Sequence, residues 1–550
     1  MTRRGFIRGT AAAGTVGLVA GTPVAYAAGA EAGTGTAAGA GAGAAGACQP
    51  TPGTVVVGPK DPRYGELTAR GFNGRFSSRP ESVRLVYSAD QVVHEVEAAV
   101  RAGKRVAVRS GGHCFENFVD DPAVTVLLDI SEMNAVYYDR RRRAFAVEAG
   151  ATLGKVYRTL YLGWGVTVPA GACPSVGTGG HIAGGGYGSL SRREGLVVDH
   201  LYAVEVVVAD RSGRARTVVA TREPGDPNRD LWWAFTGAGG GNFGIVTRYW
   251  MRSPGATGDD PGSLLPRPPA VVKSMSVGWQ WSDLDERTFT TIVGNFGSLL
   301  ERDSAPGERF AAVECGVSLS HKVTGQIRLD ASVDGGRADA DELLGAYLKA
   351  VTRDVTAPHS DDRLTMPWMK STLSVEVGPG GYSFKTKHAF HRTPFSARQI
   401  AAIYRHQSTG GEERYGGAVY LAGFGGKVNT VAPGATAMPH RNALMSAYYE
   451  TVWWDPAHDD EQLGWIRGLY KEVYADSGGV PAPNADTDGA FINYPDRDLA
   501  DPKLNASGVP WHTLYFKDNY ARLQAVKDRW DPRDVFHHGL SIKPTVRSPR

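Results

Sequence analysis

The sequence predicts an α+β chain of two domains, and three features carry that expectation. At 550 residues the chain exceeds what a single hydrophobic core sustains, so two or more domains follow from size alone. A strand–helix–strand opening begins at Glu81. A Pro- and Gly-rich linker, Ser253 to Pro269, then separates the first half from a second half rich in period-two alternation.

Taken in order, residues 1–27 have the form of an export signal. Adjacent Arg3 and Arg4 followed by Phe6 match the twin-arginine type, an apolar stretch of Ala, Gly and Val runs to Val24, and Ala25 and Ala27 supply the small residues a signal peptidase needs. The expected partner is the twin-arginine export machinery, which carries folded proteins, and the expected location is secreted. A membrane anchor is disfavoured because the stretch is short, glycine-rich and followed by a cleavage pattern, so no membrane association is expected of the mature form. Residues 28–50 lack aromatic and large aliphatic side chains up to Cys48 and read as an Ala/Gly-rich flexible arm.

Glu81 to Tyr87 reads as a strand. Ser88 then caps a helix to Arg101 with apolar i, i+3, i+4 spacing, and Gly103 ends it. Strands follow at Arg105–Arg109, Val124–Asp129, Ala144–Ala149 and Tyr202–Ala209, and the first subdomain is expected to close near the last of these. The basic run Arg140 to Arg143 lies between strand-like Val136–Tyr138 and Ala144–Val147, which makes it a solvated hairpin turn rather than a nucleic-acid contact. The formal net charge of +3, spread over the whole chain, decides little.

Two glycine-rich segments concentrate the chemistry. The first is Arg109-Ser-Gly-Gly-His113; the second is Cys173-Pro-Ser-Val-Gly-Thr-Gly-Gly180, running on into Gly184-Gly-Gly-Tyr-Gly188. Either alone marks turns. Backbone N–H groups of Ser110, Gly111 and Gly112, with no side chains to block approach, suit the oxygens of a diphosphate and suggest a nucleotide cradle. Gly239, Gly241 and Gly244 satisfy G-x-G-x-x-G, but Ile245 to Trp250 reads as a strand where a dinucleotide fold needs a helix. Beyond the linker, Met275–Trp281, Phe384–Phe390 and Ala418–Leu421 suggest an antiparallel sheet accompanied by helices such as Asp460–Tyr474. Lys385 and Lys387 share one side of a strand and face either a cavity or a solvated edge.

The cysteines Cys48, Cys114, Cys173 and Cys315 are too sparse for a disulfide framework in a chain this long. A zinc site from His113, Cys114, Cys173 and His181 is an alternative that lacks the close ligand pairs of tetrahedral sites, so no metal is expected.

From about Pro80 to Pro544 the chain resembles the flavoproteins of the p-cresol methylhydroxylase and vanillyl alcohol oxidase superfamily, specifically the berberine bridge enzyme-like branch. The two glycine segments, Trp233 to Thr247, and the closing Asn493-Tyr-Pro-Asp496, Asn519–Lys527 and Trp530–Phe536 carry the resemblance. It implies an FAD-binding domain over 75–252, a substrate domain built on an antiparallel sheet over 270–493, and a segment over 494–544 that returns to the FAD domain. It also implies FAD held by two covalent bonds, His113 to the 8α-methyl and Cys173 to C6. Further implied cofactor contacts are Arg109, Ser110, Gly111, Gly112, Gly177, Gly179, Gly180, Gly184, Tyr187, Gly188 and Asn493, with Ile245 and Val246 at the adenine half.

For catalysis the resemblance points to Tyr494, with Tyr420 and Tyr187 assisting. A tyrosine's reference pKa of about 10 requires lowering, or a relay that carries its proton away. Berberine bridge enzyme itself uses a glutamate base, for which the sequence offers no convincing equivalent. The expected activity is oxidation of a hydroxyl on a natural product, such as a glycoside or polyketide, or on its sugar, with O2 reduced to H2O2. An oligosaccharide oxidase acting at the anomeric hydroxyl and a non-redox flavoprotein scaffold are the alternatives. A sugar-binding protein without flavin requires His113 and Cys173 to coincide by chance.

Overall fold

The computed structural model describes residues 52–303, 305–375, 380–410 and 417–545. The expected signal and arm, and Cys48, lie outside the described residues. Three sheets organise the chain.

The first sheet contains β1 (Val55–Val57), β2 (Ser82–Leu85), β3 (Val106–Arg109) and β4 (Val126–Asp129), in the order β1-β2-β4-β3. β2 and β3 flank β4 in parallel, and every residue of β4 is buried, as a central parallel strand requires. The helix Ala89–Arg101 makes the crossover from β2 to β3. Its Ser88 hydroxyl accepts from the Gln91 N–H at 3.3 Å, its buried face is Val92, Glu95, Val96 and Ala99, and Gly103 leaves it at φ +63°. The β-α-β opening is therefore where the sequence puts it.

The second sheet contains β5 (Val136–Asp139), β6 (Ala144–Glu148), β7 (Leu201–Ala209), β8 (Ala215–Thr221) and β9 (Ile245–Met251), in the order β5-β6-β9-β7-β8, all antiparallel. This corrects the expected first subdomain. The strands at Ala144 and Leu201 do not extend the parallel sheet; both pair with β9, which arrives from much later in the chain. Local pattern identifies a strand but not its partner. Ile245–Met251 is a strand and not a helix, so the G-x-G-x-x-G segment has no dinucleotide-fold context.

The third sheet is antiparallel and seven-stranded, formed by β10 (Val271–Gln280), β11 (Glu314–Ser320), β12 (Gln326–Asp334), β13 (Ser360–Pro367), β14 (Ser383–His391), β15 (Ala418–Gly423) and β16 (Met445–Trp453), in the order β13-β10-β12-β11-β15-β16-β14. Helices Glu286–Asp303, Ala340–Val351, Ala397–Ser408 and Asp459–Val473 pack against it and one another. All nine residues of β14 are buried, including Lys385, Lys387 and His388, although the strand closes one end of the sheet.

The C-terminal helix Tyr520–Trp530 packs against the helix Arg229–Ala234. Fully buried Lys527 donates to the carbonyls of Asn242 and Phe536, both at 2.7 Å, and to Asp531 at 2.6 Å, which ties the end of the chain to the loop before β9. Among the described residues no helix is long and apolar enough to cross a membrane.

Candidate active site

The two glycine-rich segments cross backbone to backbone. A Cβ at Gly111 would lie 2.3 Å from the Gly177 nitrogen, and one at Gly177 would lie 2.2 Å from Ser110 Oγ. The Ala149 carbonyl joins them, accepting from Ser110 Oγ at 2.6 Å and from the Gly179 N–H at 2.9 Å. Gly112 turns at φ +77° with the Arg70 carbonyl 2.4 Å from where its Cβ would sit. Arg109 is buried and serves the loop itself, its guanidinium donating to Asp120 at 2.9 Å and to the Leu67 carbonyl.

Behind this crossing opens a cleft enclosing about 1970 Å3, mouth included. β3, the loop through His113, residues 171–181, Gly239 to Val246, Phe491 to Pro495 and Phe536 to His538 line it. His113 and Cys173 meet there on a shared partner. Ser175 Oγ is 3.0 Å from His113 Nε2 and 3.3 Å from Cys173 Sγ, while Phe72 stacks on the His113 ring with centroids 4.5 Å apart. Burial pushes the His113 pKa down to about 4 and the Cys173 thiol up, so the ring is neutral and the sulfur protonated near neutral pH.

The other donors of the zinc alternative turn elsewhere. Cys114 Sγ donates to the Glu116 carbonyl at 3.1 Å, and His181 Nε2 accepts from the Gly171 N–H at 3.0 Å. Asn493 donates to the His181 carbonyl at 2.9 Å and occupies the space beside Gly184, where a Cβ would lie 1.8 Å from its Oδ1. Gly188 likewise has no room for a side chain, the Ala170 carbonyl standing 1.9 Å from its Cβ position.

At one end of the cleft the tyrosines gather. Tyr494 stacks over Phe115 at 5.8 Å and approaches His388 at 5.3 Å and Tyr448 at 4.8 Å, centroid to centroid. Its ring meets that of Tyr187 edge-on, centroids 6.3 Å apart, and the two hydroxyls bear on each other's ionisation. Tyr187 Oη is also 2.9 Å from Ser446 Oγ, and Ser446 Oγ is 2.9 Å from His388 Nε2. Burial lifts Tyr494 well above the ordinary tyrosine range and Tyr187 to about 12. Burial therefore opposes the lowering that a lone base requires. Tyr420 sits one ring back, 5.9 Å from Tyr448, and does not line the cleft.

Sequence reasoning missed four residues of this cluster. Ser446, Tyr448 and Glu450 alternate along one face of β16, and His388 lies opposite Tyr448 on β14. Buried Glu450 accepts from the Tyr448 hydroxyl at 3.1 Å, and burial raises its pKa to about 7. A carboxyl thus stands behind the tyrosines where the sequence offered none. His538, also missed, stacks on Phe118 at 3.9 Å and lines the cleft beside Gly240. Period-two alternation over residues 445–453 was the available signal for β16.

Lys385 and Lys387 are buried and do not line the cleft. Lys385 Nζ pairs with Glu116 at 2.5 Å and Asp496 at 2.7 Å; Lys387 Nζ pairs with Asp496 at 2.7 Å and Asp498 at 2.9 Å, all of them buried. The network clamps the turn that follows Tyr494.

The cleft fits an extended dinucleotide-like group. Nothing lies within 4 Å of a Cβ placed on Gly180, and only the Gly180 Cα, at 3.9 Å, approaches one placed on Gly240, so bare backbone lines the middle of the cleft. Ile245 and Val246 line it as well. The family descriptions agree: residues 80–216 match "FAD binding domain" and residues 490–543 match "Berberine and berberine like". An aclacinomycin-N/aclacinomycin-A oxidase from Streptomyces galilaeus is 53% identical over 99% of this chain and 98% of its own length. The crystal structure of aclacinomycin oxidoreductase superposes with a TM-score of 0.88 at 54% identity, and that of a glycopeptide hexose oxidase complexed with teicoplanin with 0.88 at 49%, each over 90% of this chain and 100% of the other. The chain belongs to the berberine bridge enzyme-like family of FAD-binding oxidases and is, by that kinship, an FAD-dependent oxidase of hydroxyl groups with O2 as acceptor.

Proposed function

We propose that this enzyme oxidises a hydroxyl of a glycosylated natural product, or of its sugar, to a carbonyl, with FAD bonded to both His113 and Cys173. The observation that carries the reading is the convergence of His113 and Cys173 on Ser175, in the cleft that Tyr187 and Tyr494 also line. Bound FAD supplies the hydride acceptor at N5 and returns the electrons to O2, which gives H2O2.

The residues supply position and proton handling. The neutral His113 ring offers an unshared pair for a bond to carbon, and Phe72 holds it by stacking. Tyr494, stacked on Phe115 in the cleft wall, receives the substrate hydroxyl, and the displaced proton goes to the Tyr187–Tyr494 pair once that pair has lost one proton to solvent. Ser110, Gly111 and Gly112 offer backbone donors to the diphosphate, while Gly177, Gly179 and Gly180 keep the opposite wall thin. The relatives acting on aclacinomycins and the structure holding teicoplanin favour a bulky glycosylated substrate. A 29% identical hexose oxidase from Chondrus crispus keeps a plain carbohydrate as the second reading. Export through the twin-arginine route rests on Arg3, Arg4 and Phe6 and places the reaction outside the cell.

The test is anaerobic mixing of the purified holoenzyme with aclacinomycin N, followed by air and then acid denaturation. The expected results are bleaching of the flavin, H2O2 on re-aeration, and a yellow denatured chain heavier by one FAD. The denatured His113→Ala and Cys173→Ala variants each stay labelled through the remaining bond. A colourless chain at its bare mass in wild type overturns the covalent assignment. Unbleached flavin with aclacinomycin N and with hexoses alike turns the reading toward a non-redox scaffold.

A further inference from the structure

We infer that Ser446 and His388 form a one-way chain of hydrogen-bond donors aimed at the Tyr187–Tyr494 pair, which makes that pair the acceptor of the substrate's hydroxyl proton. Both are positioning residues, and the inference rests on the hydroxyl-oxidation reading above.

The direction follows from one backbone group. The Phe491 N–H donates to His388 Nδ1 at 3.1 Å. An amide N–H has no lone pair to give back, so Nδ1 carries no proton, and in the neutral ring the proton sits on Nε2. Burial, with His391 and His440 nearby, keeps the ring neutral. Nε2–H therefore donates to Ser446 Oγ at 2.9 Å, and the Ser446 proton is directed onto Tyr187 Oη, 2.9 Å away. Ser446 is thus the donor that geometry aims at Tyr187, and the neighbouring Tyr494 hydroxyl also favours a phenolate there. Other titratable groups bear on the pair from the surrounding elements: Glu314 on Tyr187, and Glu450 and Cys173 on Tyr494.

Burial raises both tyrosines, so the pair must first give up one proton to solvent, a loss the Ser446 donor eases. In the oxidation step the substrate O–H bond then breaks, its proton passes to Tyr494, and the proton of Tyr494 moves to the Tyr187 phenolate. With FAD bound, the flavin would take the hydride of the substrate C–H with its electron pair as the C=O bond forms. The tyrosine pair ends neutral, and its proton is lost to solvent before the next turnover.

The experiment is rapid anaerobic flavin reduction by aclacinomycin N across pH in the flavin-loaded enzyme. Removing one donor to a phenolate moves the pH midpoint of the reduction rate up by about 1, roughly tenfold in rate below it. Ser446→Ala is expected to show that change at saturating substrate with little change in KM, and Ser446→Thr, which keeps the hydroxyl, is expected to restore the wild-type midpoint. Nitrogen NMR of wild type, with His388 assigned through His388→Gln, is expected to show the proton on Nε2. A wild-type pH midpoint in Ser446→Ala, or a proton on Nδ1, overturns the donor chain. Tyr494→Phe separates the two levels: loss of reduction there with Ser446→Ala unaffected refutes only the chain. Wild-type reduction by Tyr494→Phe refutes the base assignment and the chain with it.

Discussion

Glu450 is a buried carboxyl whose protonation changes near neutrality. Burial raises its pKa to about 7 against an ordinary 4.5, with the Tyr448 hydroxyl pulling the other way. A raised carboxyl pKa means that the folded protein binds the proton more tightly than the unfolded chain. The stabilising contribution is complete below about pH 4.5 and is lost as pH rises through about 7. Glu450→Gln removes the titration. Its stability relative to wild type is expected to rise across that interval by about 3 kcal/mol at most, because each tenfold difference in proton affinity is worth about 1.4 kcal/mol. Thermal melts of both proteins at several pH values check it; parallel curves refute the assignment. Glu450 also shows what the sequence hides at this scale. His113, Cys173 and Tyr494 stand in contiguous motifs and are readable, whereas Glu450, Ser446 and His388 meet through the register of β16 on β14, which no local segment encodes.

At the scale of elements the crossing of the two glycine loops separates two kinds of glycine. Gly177 is needed for packing, because a methyl there meets Ser110 Oγ at 2.2 Å and the Gly111 nitrogen at 2.3 Å. Gly180 faces open cleft, with nothing within 4 Å. Gly177→Ala is expected to destabilise the protein by about 1–3 kcal/mol through overpacking. Gly180→Ala is expected to fold at least as stably as wild type yet carry less FAD, because its methyl stands in the cleft. Melting temperature and flavin content measured side by side distinguish them, and equal behaviour of the two variants sinks the distinction. The elements themselves were largely legible: the capped helix after Ser88, the hairpin around Arg140 to Arg143, and β9 after the glycine run follow from local chemistry. The grouping of β6 and β7 with β9 was not, since their partner lies far along the chain.

At the scale of the molecule, three distant stretches share one buried ion network. Lys385 comes from β14, Glu116 from the loop after His113, and Asp496 from the turn after Tyr494. Charges on a strand read in isolation suggest an edge, and only the assembled fold supplies their partners. Removing one partner leaves buried charge uncompensated, so Lys385→Met is expected to cost about 3–5 kcal/mol. Adding Glu116→Gln is expected to recover part of that loss in a double-mutant cycle of denaturant midpoints; strict additivity of the two changes argues against the coupling. The cleft is assembled in the same distributed way, with walls drawn from Val106 at one extreme and His538 at the other. A growing chain therefore possesses no finished cleft until its last few dozen residues have left the ribosome and Lys527 has seated beside Asn242. A truncation before Asn493 removes the walls that Tyr494, Pro495 and Phe536 to His538 supply, and is expected to lower the flavin content of the purified chain.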